Sequence, residues 1–487
     1  MRVLYYDIDT LRPDHLGCYG YHRDTSPNID RIAGEGTVFT NYYASDAPCL
    51  PSRAALFLGR PGIQTGVVGH GGTAADPYVV GRERGFRQHP EWFSWPMAMR
   101  GAGFYPVSVS PFAERHSAWW FYFGWREMYN PGKGGGERAD EVVPLALDWI
   151  DRHGEEDDWF LHVNVWDPHG PYRTPDEYGN PFEGEPIPDW LSDELIQKHF
   201  DGFGPHSAQE PYGTTAGREG PRAPSEIRNL EDFRRWIDGY DVGIRYADDW
   251  FGRILEALEA RGVLEDTAII ISSDHGENQG ELNVYGDHQT ADYITSRVPL
   301  IIRWPGVEGG RVNEGLHYNY DLPPTLMDLL EGERPARWEG RSFAGALRDG
   351  DPGRDDLVVC QCAWSCQRSV RFGPWLVVRT YHTGMKDFPP VMVFNLEEDP
   401  HETHDLVEER PDIADRGLAI LERWQADMMS RSTSRIDPLR TVMTEGGPFH
   451  TRGSLEQYCE RLRETGRERH AETLQRLDGG YLAGSGG

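Results

Sequence analysis

Val3-Leu4-Tyr5-Tyr6-Asp7-Ile8-Asp9 reads as a buried β-strand that ends in acids. In open α/β sheets ligands gather at the carboxyl ends of strands, so Asp9 stands where chemistry is expected. Alternation along the strand puts Asp7 and Asp9 on the same face. A second run, Thr267-Ala268-Ile269-Ile270-Ile271-Ser272-Ser273, has the unbroken apolar character of a parallel strand covered on both faces. It ends in Asp274-His275-Gly276-Glu277, a second acid cluster on a second strand end. Between the two runs lies Ala47-Pro48-Cys49-Leu50-Pro51-Ser52-Arg53-Ala54-Ala55-Leu56-Phe57-Leu58-Gly59-Arg60. Here a cysteine sits just before the helix-compatible run Ala54 to Leu58. A small residue opening a helix faces unpaired amides and the positive end of the dipole, a good place to present a nucleophile to a tetrahedral anion.

Working outward, Ser26-Pro27 opens a helix, with Ser26 as cap and Pro27 at the first position. Met97 to Val109 reads as helix, turn and strand, and Trp159 to Trp166 as a strand that delivers Asp167-Pro168-His169-Gly170-Pro171-Tyr172. Residues 173–228 are rich in Gly, Pro and charge without sustained periodicity, which predicts a long surface insertion over the site. Phe233 to Ala260 is an amphipathic helix that stops at Arg261-Gly262. A Gly/Pro/Asp-rich linker over 350–356 divides a catalytic part, 1–350, from a small α+β subdomain, 357–430. Four short strands there predict an antiparallel sheet, on which a helix from Ile413 to Met428 packs. Residues 431–487 form a polar tail that wraps back.

A length of 487 residues predicts two or three domains, and 38% apolar with 26% charged residues predicts a soluble globular chain. No run is long enough to span a bilayer, and the N-terminus enters a strand pattern at once, so the expected location is the cytoplasm. A net charge of −30 argues against nucleic acid as a partner. It also makes any anion-binding site a local positive spot in a negative field. Lysine occurs only at Lys133, Lys198 and Lys386. Six cysteines in so large a chain do not suggest a disulfide framework. Cys360-x-Cys362-x-x-x-Cys366 has no matching second half, so buried thiols are expected there rather than a zinc site.

The Cys49-x-Pro51-Ser52-Arg53 pattern, continued by Ala54-Ala55-Leu56-x-x-Gly59-Arg60, resembles the sulfatase signature, in which this cysteine is oxidised to formylglycine. Further blocks fall in the same order. They are Arg12-Pro13-Asp14-His15, Asp167-Pro168-His169, Asp274-His275, Arg297 to Gly306 with Asp321 to Leu326, and Phe394 to Leu406. The resemblance is to the sulfatase group of the alkaline-phosphatase-like superfamily, which also holds phosphonate monoester and phosphodiester hydrolases. It implies a large, mostly parallel mixed sheet between helices, with a smaller C-terminal antiparallel sheet. It also implies one divalent cation, Ca²⁺ before Mn²⁺, held by Asp9, Asp274, His275 and residue 49. In this reading Cys49 supplies the nucleophile, Arg53 orients it, and His169 contacts the ester. A formylglycine-generating maturation system is then a partner, the substrate is a small-molecule or saccharide sulfate ester, and a homo-oligomer remains open.

The chain departs from the family pattern at three places. Thr10 follows Asp9 where the family has a second acid, so one ligand is lost or Asp7 replaces it. Arg115-His116 stands where a Lys-Trp-His element belongs, leaving Arg115 or His116 as substitutes. Asp287-His288 stands where a sulfate-binding lysine belongs, which makes His288 the replacement donor. His70, on a glycine-flanked loop, is a candidate substrate contact. The single acid and the missing lysine point towards the phosphonate and phosphodiester hydrolases as the alternative activity. An inactive binding homologue is a distant third.

Overall fold

The computed structural model describes residues 1–78, 93–348 and 350–484, with the side chains of the last helix described through residue 477. Its main sheet has nine strands. In spatial order these are Arg311–Asn313, Thr37–Tyr43, Arg297–Arg303, Thr267–Ser273, Arg2–Ile8, Trp159–Val165, Tyr105–Val109 and Glu127–Tyr129, with His317–Tyr318 also on Thr37–Tyr43. Pairing is parallel from Thr267–Ser273 across to Glu127–Tyr129, and Arg297–Arg303 runs antiparallel to both its neighbours. The strands Arg2–Ile8, Trp159–Val165 and Thr267–Ser273 are buried along their whole length. That burial on both faces is why their sequences are runs rather than alternations.

One core, on the Leu4, Tyr6 and Ile8 face, packs against helices Ala139–His153 and Leu230–Ala260. The other, on the Val3 and Tyr5 face, packs against helix Cys49–Leu58 and Trp95. The 31-residue helix Leu230–Ala260 is capped by Asn229, whose side-chain oxygen accepts from the amides of Glu231 and Asp232. It stops where expected, with Gly262 left-handed at φ 67°. The cap expected from Ser26 is supplied differently. Its hydroxyl donates to Asp30, and Asp248 of the long helix accepts from the amides of Asn28 and Ile29.

Register brings the strand ends together. Ile8 pairs with Val165 on one side and Ser273 on the other, so Asp9, Trp166 and Asp274 leave the sheet at one edge. Val109 pairs with Val163, which sends Ser110 and the Phe112–His116 helix to that same edge.

The smaller sheet orders Val391–Asn395, Trp375–His382, Cys366–Phe372 and Asp356–Gln361 antiparallel, with helix Pro411–Arg431 packed on it. Its fifth strand is Asp46–Ala47, which joins Asp356–Gln361 in parallel through Cys360↔Asp46 and Gln361↔Ala47. The two residues that lead into Cys49 are therefore held by the C-terminal sheet. Cys360, Cys362 and Cys366 are buried free thiols of this region. Residues 173–228 contain helix Asp193–Asp201 and a buried stretch around Phe203, Ser207 and Glu210, and 431–484 contain three helices. Among the described residues no helix is long and apolar enough to cross a membrane.

Candidate active site

Cys49 opens its helix at 2% exposure, and all ten residues of that helix are buried. The helix is pinned to the strand end that carries Asp274. Ser52 Oγ donates to the Asp274 carbonyl at 2.6 Å, and Asn319 Nδ2 donates to the Ser52 carbonyl at 3.1 Å. Cys49 Sγ lies 3.9 Å from Asp9 Oδ1 and 3.2 Å from His275 Nε2. Burial first, then Asp9 and Asp274, push its thiol well above the ordinary cysteine range. The unmodified side chain is therefore a neutral thiol and a poor nucleophile.

Arg53, one turn on, lies fully buried among three carboxylates. Its Nε and one terminal nitrogen grip both oxygens of Asp7 at 2.9 and 3.0 Å. The other terminal nitrogen reaches Asp274 at 2.5 Å and Asp9 at 3.2 Å. Arg115 closes on Asp9 from outside at 2.7 Å, its guanidinium 4.1 Å from the centre of the Trp166 ring. Burial alone would raise Asp9, yet Arg115 and Arg53 together hold it well below the usual carboxylate range. Asp274 is raised by burial, with Arg53 opposing.

Asp9, Cys49, Asp274 and His275 each place one donor atom within 4.8 Å of the others. His275 Nδ1–H donates to the Gly276 carbonyl at 2.8 Å, which leaves Nε2 with its lone pair towards Cys49. Two carboxylates, one imidazole and a fourth residue suit a divalent cation such as Ca²⁺ or Mn²⁺. Asp7 lies outside this group, because the Arg53 fork and His162 occupy its oxygens. Thr10 contributes its backbone amide instead, which donates to Asp274 Oδ1 at 3.2 Å from a left-handed φ of 56°.

Two further groups converge on the nucleophile. Cys49, His169 and His288 fall within 4.8 Å of one another, and so do Cys49, His70 and His116. His169 stacks on Trp166 at 4.0 Å and donates from Nδ1 to the Gly170 carbonyl at 2.6 Å. Burial lowers its pKa to about 4. Its loop is seated by Gly243 of the long helix, where an added Cβ would come 2.8 Å from Pro168. Glu277 accepts the Tyr172 hydroxyl at 2.9 Å and is pushed up to about 8 by burial.

His288, the expected replacement donor, stands at the site as a neutral imidazole. Burial, and next the His275 imidazole 4.1 Å away, push His288 well below the ordinary histidine range. It offers a neutral nitrogen, and its Nδ1 is buried with no protein partner among the described residues. Beside Arg53, which is bound to the carboxylates, the second guanidinium at the site is Arg115. His116 accepts from Arg115 Nε at 3.0 Å, and His70 joins His450 of the tail at 2.8 Å.

Two contributors are absent from the sequence reading. His162 supports Asp7 from a buried strand position, bonded to Ser108 Oγ at 3.0 Å. Its sequence setting, inside an apolar strand, looks like any core histidine. His450 sits 380 positions from His70, and nothing local marks it.

A buried thiol at a helix start, facing two strand-end carboxylates, is the arrangement of an enzyme rather than of a binding module. A family model described as Sulfatase matches residues 3–332, and the chain belongs to that family. It is 24% identical over 466 residues to the multifunctional alkaline phosphatase superfamily protein PehA of Trinickia caryophylli, covering 78% of this chain and 85% of that one. It is 27% identical over 345 residues to iduronate 2-sulfatase of Mus musculus, covering 63% of this chain and 60% of that protein. The fold matches the phosphonate monoester hydrolase of Agrobacterium radiobacter at a TM-score of 0.66 and 20% identity, over 92% of this chain and 99% of that one.

Proposed function

We propose that the protein hydrolyses a sulfate monoester, with formylglycine made from Cys49 as nucleophile and one divalent cation held by Asp9, Asp274, His275 and residue 49. The observation that carries this reading is the convergence of those four residues at a helix start on the carboxyl edge of the sheet. A cation there neutralises ester oxygens and lowers the pKa of the attacking hydroxyl. Formylglycine supplies, in its hydrate, one hydroxyl to attack and another to carry the reaction to completion.

The chain's own residues set the rest. Arg53 ties Asp7, Asp9 and Asp274 into one rigid carboxylate frame. Arg115, over Trp166, is the donor available to an ester oxygen, where charge builds in the transition state. His169, with Nδ1–H bonded to the Gly170 carbonyl, turns an accepting Nε2 towards residue 49 and takes its hydroxyl proton, while His275, whose Nδ1–H is held by the Gly276 carbonyl, keeps Nε2 for the cation. His288 Nδ1 is the hydrogen-bonding atom left for the ester. With Arg53 tied to the three carboxylates, Arg115 is the guanidinium left beside the neutral imidazoles, an arrangement that suits a singly charged ester.

Phosphonate monoesters and phosphodiesters are also singly charged, and Asp9-Thr10, Asp274-His275 and the absence of a lysine at the described site favour them as the second reading. The test is a peptide map of active protein followed by paired rates on nitrophenyl sulfate and a nitrophenyl phosphonate ester. Formylglycine at position 49 with sulfate turnover the faster is expected. An unmodified cysteine in fully active protein, or a faster phosphonate rate, overturns the first reading.

A further inference from the structure

Cys49 belongs to more than one group of metal-ligand side chains. Beside the set it shares with Asp9, Asp274 and His275, its Sγ lies within 4.8 Å of one nitrogen each of His169 and His288. The two sets differ in hardness. The first brings two carboxylates and suits a hard cation. The second brings a thiol and two imidazoles, the donors that Zn²⁺ selects.

The state of each nitrogen fits a ligand. His169 donates from Nδ1 to the Gly170 carbonyl at 2.6 Å, so its Nε2 carries the lone pair. His288 is 4% exposed, and its Nδ1 is buried with no partner among the described residues. Its Nε2 faces Asp287 Oδ1 at 3.6 Å. An imidazole that binds a metal through one nitrogen regularly has a carbonyl or carboxylate behind the other, which fixes its tautomer and ring plane. Both rings have that backing here. Asp287 is itself held, by His206 at 2.8 Å and by the His288 amide at 2.6 Å. The His169 ring is also set by its stack on Trp166 at 4.0 Å. Burial keeps both imidazoles neutral, which is the ligating form.

The third group, Cys49 with His70 and His116, fails the same test. His116 Nε2 accepts from Arg115 Nε at 3.0 Å, so its proton is on Nδ1 and neither nitrogen is free. The guanidiniums nearby are engaged, Arg53 with Asp7, Asp9 and Asp274, and Arg115 with Asp9. A cation at the imidazole set therefore meets positive charge that carboxylates already balance.

We infer that the chain carrying Cys49 as encoded binds one thiophilic divalent cation, of the Zn²⁺ class, through Cys49 Sγ and the free nitrogens of His169 and His288. Solvent takes the fourth position of the tetrahedron. The thiol gives its proton to solvent as the thiolate binds. Formylglycine at position 49 has no sulfur to give, so the state of this residue sets which metal the pocket takes. With formylglycine in place, the carboxylate set holds the hard cation and His169 Nε2 turns to the hydroxyl proton. The formylglycine half of this inference rests on the sulfatase reading, and the zinc half needs the encoded cysteine alone.

The experiment uses the full chain produced without a maturation system, stripped of metal, and titrated with Co²⁺ and then Zn²⁺. Wild type should show a thiolate-to-cobalt charge-transfer band with tetrahedral d–d bands, and about one equivalent of Zn²⁺ should bleach both. Cys49→Ser should lose the charge-transfer band. Asp287→Asn leaves all three ligands in place and should weaken Zn²⁺ about 10- to 100-fold, and His288→Ala should weaken it further. Agreement of the two variants, each with the circular dichroism of wild type, guards against a misfolded pocket. No thiolate band in wild type, or an intact band with unchanged Zn²⁺ affinity in His288→Ala, overturns the site. The matured chain should bind Zn²⁺ at least about 10-fold more weakly than the encoded one, and equal affinity overturns the dependence on residue 49. Active protein that never carries formylglycine overturns the sulfatase reading, and the thiolate band of the encoded chain still decides the zinc site.

Discussion

The nucleophile is served by two regions of different origin. One is the carboxylate frame, where Asp7, Asp9 and Asp274 meet Arg53 within two strand ends and one helix start. The other is the imidazole wall, where residues near 70, 206, 288, 364 and 450 meet across five segments. The frame is fixed by register: once Ile8 pairs with Ser273, Asp9 and Asp274 are neighbours whatever the loops do. The wall depends on how an insertion, a tail and a smaller sheet dock. Chemistry common to a family belongs in the frame, and discrimination between substrates belongs in the wall.

Breaking the frame should have the largest effects. Cys49→Ala removes the nucleophile and should lower kcat/KM by about 10⁴-fold or more. An alanine fills a buried helix start without new polar atoms, so the melting temperature should stay close to wild type. Appreciable turnover by homogeneous variant would show that another group attacks. Arg53→Met leaves three buried carboxylates without their guanidinium. Removing one partner of a buried ion pair costs about 3–5 kcal/mol. Urea unfolding of the metal-free variant should therefore lose stability on that scale, and a loss under about 1 kcal/mol would mean the carboxylates relax or take up protons cheaply.

At the border of the two regions, Arg115→Gln and His288→Ala separate charge from hydrogen bonding. Arg115 is the cation beside Asp9, and losing such a donor to developing charge costs about 10²-fold in kcat. His288 is already neutral, so His288→Ala should cost less, about tenfold, and should not move a pH profile. The reverse ranking would make His288 the main donor to the ester.

Much of the frame is legible in the sequence because its residues flank elements with strong local signals. Asp9 and Asp274 end continuous apolar runs, and Cys49 precedes a run of helix formers. Asp7 shows the limit of that reading. Alternation places it on the face of Asp9 correctly, yet cannot say that Arg53 occupies both its oxygens. The wall is hardly legible at all. His70 can be singled out by its glycines, but its partner His450 follows Gly-Gly-Pro-Phe in a polar tail that predicts little structure. The docking that joins them is a tertiary fact: a glycine under Phe449 and a backbone bond to Ala363. The burial that makes these imidazoles neutral is likewise a property of the assembled pocket. Composition gives only the scarcity of lysine, which leaves the charge on Arg115.

Lys386 offers the smallest effect on turnover and sharpens the claim that the wall carries no lysine charge. It is 3% exposed, and its ammonium donates to Pro205 at 2.6 Å and Asn283 at 3.3 Å. Burial lowers its pKa to about 7, against the pull of Asp287 and Glu210. An unfolded lysine titrates near about 10.4. Below pH 7 both states hold the proton, and this residue adds no slope. Between about pH 7 and 10.4 the unfolded chain keeps the proton that the folded chain has released, so stability rises with pH. The slope reaches at most about 1.4 kcal/mol per pH unit. Wild type measured against Lys386→Met by urea unfolding should therefore gain relative stability from pH 7 to 9. Over the same range kcat/KM of the two proteins should agree within about twofold, since the amine points at backbone carbonyls and away from the ester. A relative stability that is flat with pH would mean the amine stays charged in the fold. A large loss of turnover in Lys386→Met would place that charge in the site after all.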